Sequence, residues 1–236
     1  MQLSADLTPE ALEAALPGRC VRSYVALLST GSAALGWADS GAPDGAVVVA
    51  GHQLSPRGHA GRPWQVAPGE GLGLSLVVRP SLPAEREGWL YTVVLSALAE
   101  VCGEEAAIEW PDEVRLGGER VAAVGIKTRL GSGGVEFGVV DMLLPTAQPP
   151  RAQVIGAVLE AIEGRRAAPP SAVLERYDRR CATVGREVRI RFLAGTGPVV
   201  GGRALGTLED GALLLETAAG RRAPVRPQDV RGLEDA

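Results

Sequence analysis

The sequence predicts an α+β protein in two parts, a larger domain over residues 1–184 and a small β-barrel over residues 185–236. Three observations carry this. AVVVAG, residues 46–51, is a run of small and β-branched residues of the kind that fills a buried strand. Between residues 83 and 101, Trp89, Val93, Leu95, Leu98 and Val101 recur at helical spacing. After Gly185 the pattern breaks into EVRIRFL, GGRALGTL, GALLLET and RAPVRPQDV, short alternating strands divided by glycine turns. Four or five such strands in about 50 residues suit a small barrel.

The elements follow in order. Thr8 is a helix N-cap with Pro9 at the first helical position, and Gly18 closes a helix over residues 8–16. Tyr24–Leu28 reads as a short apolar strand, Ser29-Thr30-Gly31 as a loop, and residues 31–40 as a small-residue helix before the turn at 41–45. The strand at 46–51 enters a Gly/Pro/Arg-rich loop over residues 52–71, and Leu72–Val78 is the next strand. A helix spans residues 83–100, then strands span 107–110, 121–129 and 135–144. Helices over 150–164 and 169–182 each follow a Pro-Pro pair.

Composition excludes several classes of function. A 236-residue chain that is 46% hydrophobic and 22% charged has core enough to fold unaided. A net charge of -4 argues against general binding of nucleic acid or anionic membranes, so neither DNA nor a membrane is expected as partner. The N-terminus lacks a basic start followed by an apolar run, and no stretch approaches the ~20 apolar residues of a membrane span. Cys20, Cys102 and Cys181 are odd in number and lack metal spacing, which fits reduced thiols in a cytoplasmic protein. With His52 and His59 as the two histidines, a His-rich metal site or a Ser-His-Asp triad is not indicated, and no metal ligand set can be named. Lys127 is the single lysine among 24 basic residues, so any chemistry of a lysine amine rests on it.

The stretch VVVAGHQLSPRGHAGRPWQVAPGEGLGLS, residues 47–75, carries the chemistry. Loops this long inside a compact domain are usually functional. Arg57, Gly58, His59, Gly61, Arg62 and Trp64 fall within eight positions. Glycines let backbone amides approach an anion, arginines offer forked donors to phosphate or carboxylate, and a tryptophan can stack on a base. On composition alone a solvated Arg/Gly linker, with Trp64 turned into the core, explains the stretch as well.

The arrangement resembles the biotin–protein ligase family, whose loop reads AxxQTxGRGRxGRxW followed by SPxGxxLxxS. Ala50, Gln53, Arg57, Gly58, Gly61, Arg62 and Trp64 match it without a gap, and Pro68, Leu72 and Ser75 continue it. LLSTGSAA is similar to the family's Ser-Thr-Asn segment, IEWPDEVRLGGERVAAV to its Lys-Trp-Pro-Asn-Asp segment and lysine strand, and the C-terminal strands to its SH3-like barrel. The resemblance implies a mixed-sheet catalytic domain of the biotin/lipoate ligase type over 1–184 with an SH3-like barrel over 185–236. It implies an enzyme that joins biotin to the α-phosphate of Mg-ATP, forming biotinyl-5'-AMP, and then passes biotin to a lysine of the biotin carboxyl carrier domain of acetyl-CoA carboxylase. Biotin, ATP and Mg2+ would then be substrates, with no tightly bound cofactor. By resemblance Ser29, Thr30, Gln53, Arg57 and Gly58 would bind biotin, and Arg57, Gly61, Arg62, Trp64 and Trp110 the adenylate. Homodimerisation through a sheet edge is also implied. With 28 residues before Ser29 there is too little chain for a helix-turn-helix domain and linker, which suggests the short type.

Altered residues stand at several positions of the active-site pattern, among them Gly31, His59, Asp112, Arg120 and Asp141. Gly31 replaces the asparagine of Ser-Thr-Asn, His59 an arginine, Asp112 an asparagine, Arg120 the lysine expected near the carboxylate and phosphate, and Asp141 the end of a Gly-x-Gly-x-Asn segment. Pro56 replaces a glycine, and Glu109 and Glu113 alter the Lys-Trp-Pro-Asn-Asp segment. Glu109 in place of lysine brings a like charge near a triphosphate, at about 1–4 kcal/mol for contact at ~4 Å. Lys127 lies seven residues beyond Arg120 on one strand, an odd offset of ~23 Å that sets the two on opposite faces. Arg120 is therefore the candidate to supply the missing lysine's charge. Two other readings are a homologue that binds biotin or its adenylate without efficient ligation, and a lipoate or octanoate transferase relative.

Overall fold

The computed structural model describes residues 3–64, 71–144, 150–193 and 200–235. Pro68, one of the residues matching the family pattern, lies outside them. Helix α1 (Pro9–Ala15) begins where Thr8 accepts a hydrogen bond from the Ala11 amide. Strand β1 (Val21–Tyr24) leads to α2 (Thr30–Asp39), which Ser29 caps by accepting from the Ser32 amide. Then come β2 (Val47–Ala50), β3 (Leu72–Val78) and the almost wholly buried α3 (Trp89–Val101). Strands β4 (Ala107–Glu109), β5 (Glu113–Leu116), β6 (Glu119–Gly131) and β7 (Gly134–Leu144) precede helices α4 (Arg151–Ala167) and α5 (Pro170–Arg180). Five short strands finish the chain: β8 (Glu187–Phe192), β9 (Val200–Thr207), β10 (Leu213–Glu216), β11 (Arg222–Val225) and β12 (Val230–Asp235).

The fold is mixed, as expected. A seven-stranded sheet has the order β1-β2-β3-β7-β6-β5-β4, with β1 and β2 parallel, and a separate antiparallel sheet has the order β11-β10-β9-β8-β12. The chain divides into two compact units, residues 1–84 with 121–160, and residues 85–120 with 161–236.

In the first unit, β2, β3, β7 and β6 pair in antiparallel succession. Helix α2 covers part of one sheet face, where Ala34 and Ala38 pack with Val48, Val77, Phe137 and Val139. Small residues along α2 let its backbone approach the sheet, which is why a segment so poor in large apolar residues still forms a packed helix. In the second unit α3 packs against α5, and the fully buried Trp110 donates its backbone amide to Thr183 Oγ1 at 3.0 Å. Arg165, nearly buried, pairs with Glu100, while Arg180 donates to the Ala99 and Gly103 carbonyls at the end of α3.

Several elements depart from expectation. The first strand ends at Tyr24 rather than running to Leu28, because β2 pairs with residues 21–24. Thr30 and Gly31 belong to α2, not to a loop. The helix expected over 83–100 is a short 3-10 turn at Ala84–Arg86 followed by α3, and β5 was not foreseen, since EVRL carries little apolar signal.

Candidate active site

Sheet register brings the site's residues together. Ser75 of β3 stands opposite Asp141 of β7, and Asp141 stands opposite Gly125 of β6. Directly opposed residues share a face, so this row presents a hydroxyl, a carboxylate and a bare backbone side by side. Thr30 opens α2 above the row. Asp141 Oδ1 accepts from Ser75 Oγ at 2.6 Å, Ser75 Oγ lies 2.8 Å from Thr30 Oγ1, and Thr30 Oγ1 donates to Gln53 Oε1 at 3.0 Å. The Thr30 amide also donates to Gln53 Oε1, at 2.8 Å. Gln53 is held in reach by a parallel bridge to Leu27, and a side chain at Gly73 would collide with its amide at 2.2 Å.

Lys127, two residues beyond Gly125 and therefore on the same face, donates to Asp141 Oδ2. The lone lysine, set apart from Arg120 by strand parity, thus joins the row that contains Ser75, Thr30 and Gln53. Asp141 is 3% exposed, and burial pushes its carboxyl above the usual range, a rise opposed by the Lys127 ammonium and the Ser75 hydroxyl.

Gly31 and Asp141 are complementary in volume. A Cβ at residue 31 would lie 2.3 Å from Asp141 Oδ1 and 2.5 Å from Oδ2. Gly31→Ala is therefore expected to cost about 1–3 kcal/mol through overpacking. In an Asp141→Ala background the same change should cost under about 0.5 kcal/mol, a coupling that urea unfolding of the four proteins measures directly.

The Arg/Gly stretch folds as a tight hairpin. Gly58 N donates to the Arg62 carbonyl (2.8 Å), Trp64 N to Pro56 (3.0 Å) and Arg62 N to His59 (3.0 Å). Ala60 (φ 54°, ψ 25°) and Gly61 (φ 69°) both take left-handed backbone, the signature of a type I′ turn. Alanine pays roughly 1–2 kcal/mol there, so Ala60→Gly should raise stability by up to about 1 kcal/mol, read as a higher unfolding midpoint. Trp64 buries its ring with Ala123 and Leu143, on the same sheet face as the polar row. Gly58 is wedged between that indole, which a Cβ would meet at 2.0 Å, and Gly125, whose own Cβ would meet the Gly58 carbonyl carbon at 2.7 Å. The hairpin is thus seated beside Asp141. Arg57 is exposed, 3.4 Å from the Gly61 carbonyl, Arg62 reaches the His59 carbonyl, and His59 is buried.

Ser29, Thr30, Gly31, Gln53, Asp141 and the 57–64 hairpin all lie in the first unit. Trp110, Asp112 and Arg120 lie in the second. There Arg120 pairs with Glu113 at 3.2 Å, Arg115 pairs with Glu113 at 2.7 Å, and Arg186 pairs with Glu109 at 2.7 Å. Glu109 and Glu113 therefore have cationic neighbours of their own. Asp112 and Trp110 are buried. Ser75, read from the sequence as part of the loop pattern, and Lys127, read by its distance from Arg120, are the members of the polar row that were not named as site residues. A serine inside LGLSLVV and a lone lysine were the available signals. Among the described residues no group of three or more His, Cys, Asp or Glu side chains is placed to hold a metal ion.

A comparison with protein-family models finds no match. Among curated proteins, the bifunctional ligase/repressor BirA of Bacillus spizizenii is 29% identical over 219 residues, which cover 78% of this chain and 65% of that protein. The biotin–[acetyl-CoA-carboxylase] ligase of Mycobacterium tuberculosis is 29% identical over 229 residues, 86% of this chain and 85% of that one. The chain is similar over most of its length to biotin–protein ligases. A biotin protein ligase from Aquifex aeolicus, solved in complex with biotin and ATP, shares the fold with a TM-score of 0.71 at 19% identity, over 92% of this chain and 99% of that one. The chain spans just under two thirds of the length of the Bacillus spizizenii relative. Within this fold, the polar row and the hairpin occupy one face of the main sheet, between α2 and Trp64.

Proposed function

We propose that the protein is a biotin–protein ligase, which activates biotin with Mg-ATP to biotinyl-5'-AMP and transfers biotin to a lysine of the biotin carboxyl carrier domain of acetyl-CoA carboxylase. One observation carries the reading: the Ser75–Asp141–Gly125 row seats the hairpin of Arg57, Gly58 and Arg62 beside the cluster of Thr30, Gln53 and Ser75. The two halves of the reaction need such neighbours. A ring bearing N–H and C=O groups is held by Ser29, Thr30 and Gln53, while the carboxylate and the phosphate meet the arginines and backbone amides of the hairpin. A carboxylate oxygen of biotin attacks the α-phosphorus, pyrophosphate leaves, and the acceptor amine then attacks the acyl carbon and expels AMP. Negative charge grows at phosphorus in the first step, and pre-placed cationic donors stabilise it without reorganising. Magnesium enters with ATP as part of the substrate. Trp64 would border the adenine.

The names of the curated relatives and the biotin- and ATP-bound state of the Aquifex aeolicus ligase support this reading. We place the reaction in the cytoplasm, consistent with three unpaired cysteines and with no described helix long and apolar enough to cross a membrane. Homodimerisation through a sheet edge belongs to the same reading and is checked by light scattering. A second reading, biotin binding without efficient ligation, draws on Arg120, whose guanidinium pairs with Glu113. Incubation with biotin, Mg-ATP and a carrier domain separates the two. AMP release with a biotinyl increment in carrier mass supports the ligase. Biotin binding without AMP supports the second reading, and neither event refutes both.

A further inference from the structure

The polar row holds more acceptors than donors. Asp141 Oδ1, Ser75 Oγ, Thr30 Oγ1 and Gln53 Oε1 form a line of four oxygens with contacts of 2.6, 2.8 and 3.0 Å. Each contact needs a hydrogen between its oxygens, and the two hydroxyls bring two. The Asp141 carboxylate, with about four lone-pair sites, accepts from Ser75 and Lys127 and so keeps capacity for a further donor. The acceptor that opens the line is a carboxylate, nearly buried, fitted against the bare Cα of Gly31. Its counter-ion is a lysine whose side chain is 42% exposed. An ammonium on a flexible stem with that exposure can withdraw into water when another donor arrives.

We propose that Asp141 is the specificity-determining residue of the head-group subsite: its carboxylate receives a ring N–H of the ligand, and Lys127 is a counter-ion that a cationic ligand head displaces. This rests on the biotin reading above and extends it to a substrate class, cyclic ureas and cyclic guanidines bearing N–H donors. A ring without N–H, such as a dithiolane, would leave the acceptors unmet, and selection against such a ring is strong because buried acceptors without donors are costly. A guanidinium head would gain a charge-assisted bond to Asp141 that a neutral urea lacks.

The test is calorimetric titration of the full chain at pH 7.5 with biotin, with 2-iminobiotin, whose head is a guanidinium, and with lipoate. Wild type, Asp141→Asn and Lys127→Met are compared. Asp141→Asn keeps the shape and removes the charge, and is expected to weaken 2-iminobiotin relative to biotin by about tenfold or more. Lys127→Met removes the competing ammonium and is expected to strengthen 2-iminobiotin relative to biotin several-fold. This second variant carries the test should Asp141→Asn fail to fold. Lipoate should bind wild type at least about 100-fold more weakly than biotin. Biotin binding with an unchanged biotin to 2-iminobiotin ratio in both variants overturns the role of Asp141 and leaves the ligase reading standing. Binding of neither biotin nor 2-iminobiotin to wild type overturns the head-group reading itself, and this proposal with it.

Discussion

Gly58→Ala is expected to reduce adenylate formation by about 100-fold while biotin still binds. The added methyl group would sit 2.0 Å from both Nε1 and Cε2 of Trp64, and the opposite side of the residue is closed by Gly125. Neither neighbour can yield cheaply. The indole is buried against Ala123 and Leu143, and the other wall is backbone. The hairpin must therefore lift from the sheet, carrying Arg57 and the Gly58 amide with it, and displacement of reacting groups by about 1 Å costs on the order of 100-fold. Overpacking should also lower stability by about 1–3 kcal/mol. Ser29, Thr30 and Gln53 keep their contacts, so binding of the biotin ring should change far less than the rate. Pyrophosphate release and calorimetric biotin binding are the paired measurements. Gly125→Ala, with closest approaches of 2.7 and 2.9 Å to the hairpin backbone, should act in the same direction. A wild-type rate in Gly58→Ala would mean that the seat of the hairpin is irrelevant to adenylation.

Arg151→Ala should have the largest effect on stability, a loss of about 3–5 kcal/mol. The side chain is 6% exposed and grips Asp6 with two forked bonds, Nε to Oδ2 at 2.9 Å and Nη2 to Oδ1 at 2.8 Å, while its Nη1 donates to the Gly71 carbonyl at 3.1 Å. Truncation leaves the largely buried Asp6 carboxylate without its cation. The pair also predicts an acid dependence. Hydrogen bonds from Arg151 hold the Asp6 carboxyl at about 2, below its ordinary 3.8. A carboxyl lowered in the folded state favours folding when ionised, so its contribution, about 2 kcal/mol, is complete above pH ~4. It fades as pH falls through about 2. Urea unfolding of wild type and Asp6→Asn should show a stability gap that is constant from pH 5 to 7 and closes toward pH 2. A gap that does not change with pH would show that Asp6 is not held in this way.

Local features were legible where short-range chemistry decides them. The Thr8 cap with Pro9 is where the sequence placed it, and Leu72–Val78 forms the expected strand, because capping groups and β-branched runs act on their own neighbours. Legibility failed where a partner decides. The first strand was expected at the apolar residues 24–28, but pairing with β2 selects the more polar Val21–Tyr24. The Arg/Gly stretch looked like an open loop, and its hairpin depends on a left-handed Ala60, a conformation that residue type argues against. The single lysine was read by its distance from Arg120 along the strand, while its role depends on a carboxylate of the next strand.

What the sequence determined by itself was the order and kind of its motifs. Ser29-Thr30-Gly31, the Gln53-to-Trp64 stretch and Asp141 in FGVVDML were all identifiable because each is short and contiguous, and their succession along the chain carried the resemblance. Only the tertiary structure decided which of them meet. Thr30 and Ser75 are 45 residues apart and Ser75 and Asp141 are 66 apart. A period of two tells which face of a strand a residue occupies, but not which residue of the neighbouring strand stands opposite. The register of β3, β7 and β6 supplied that choice. It placed a carboxylate where Gly31 leaves room and a lysine where the carboxylate needs a cation.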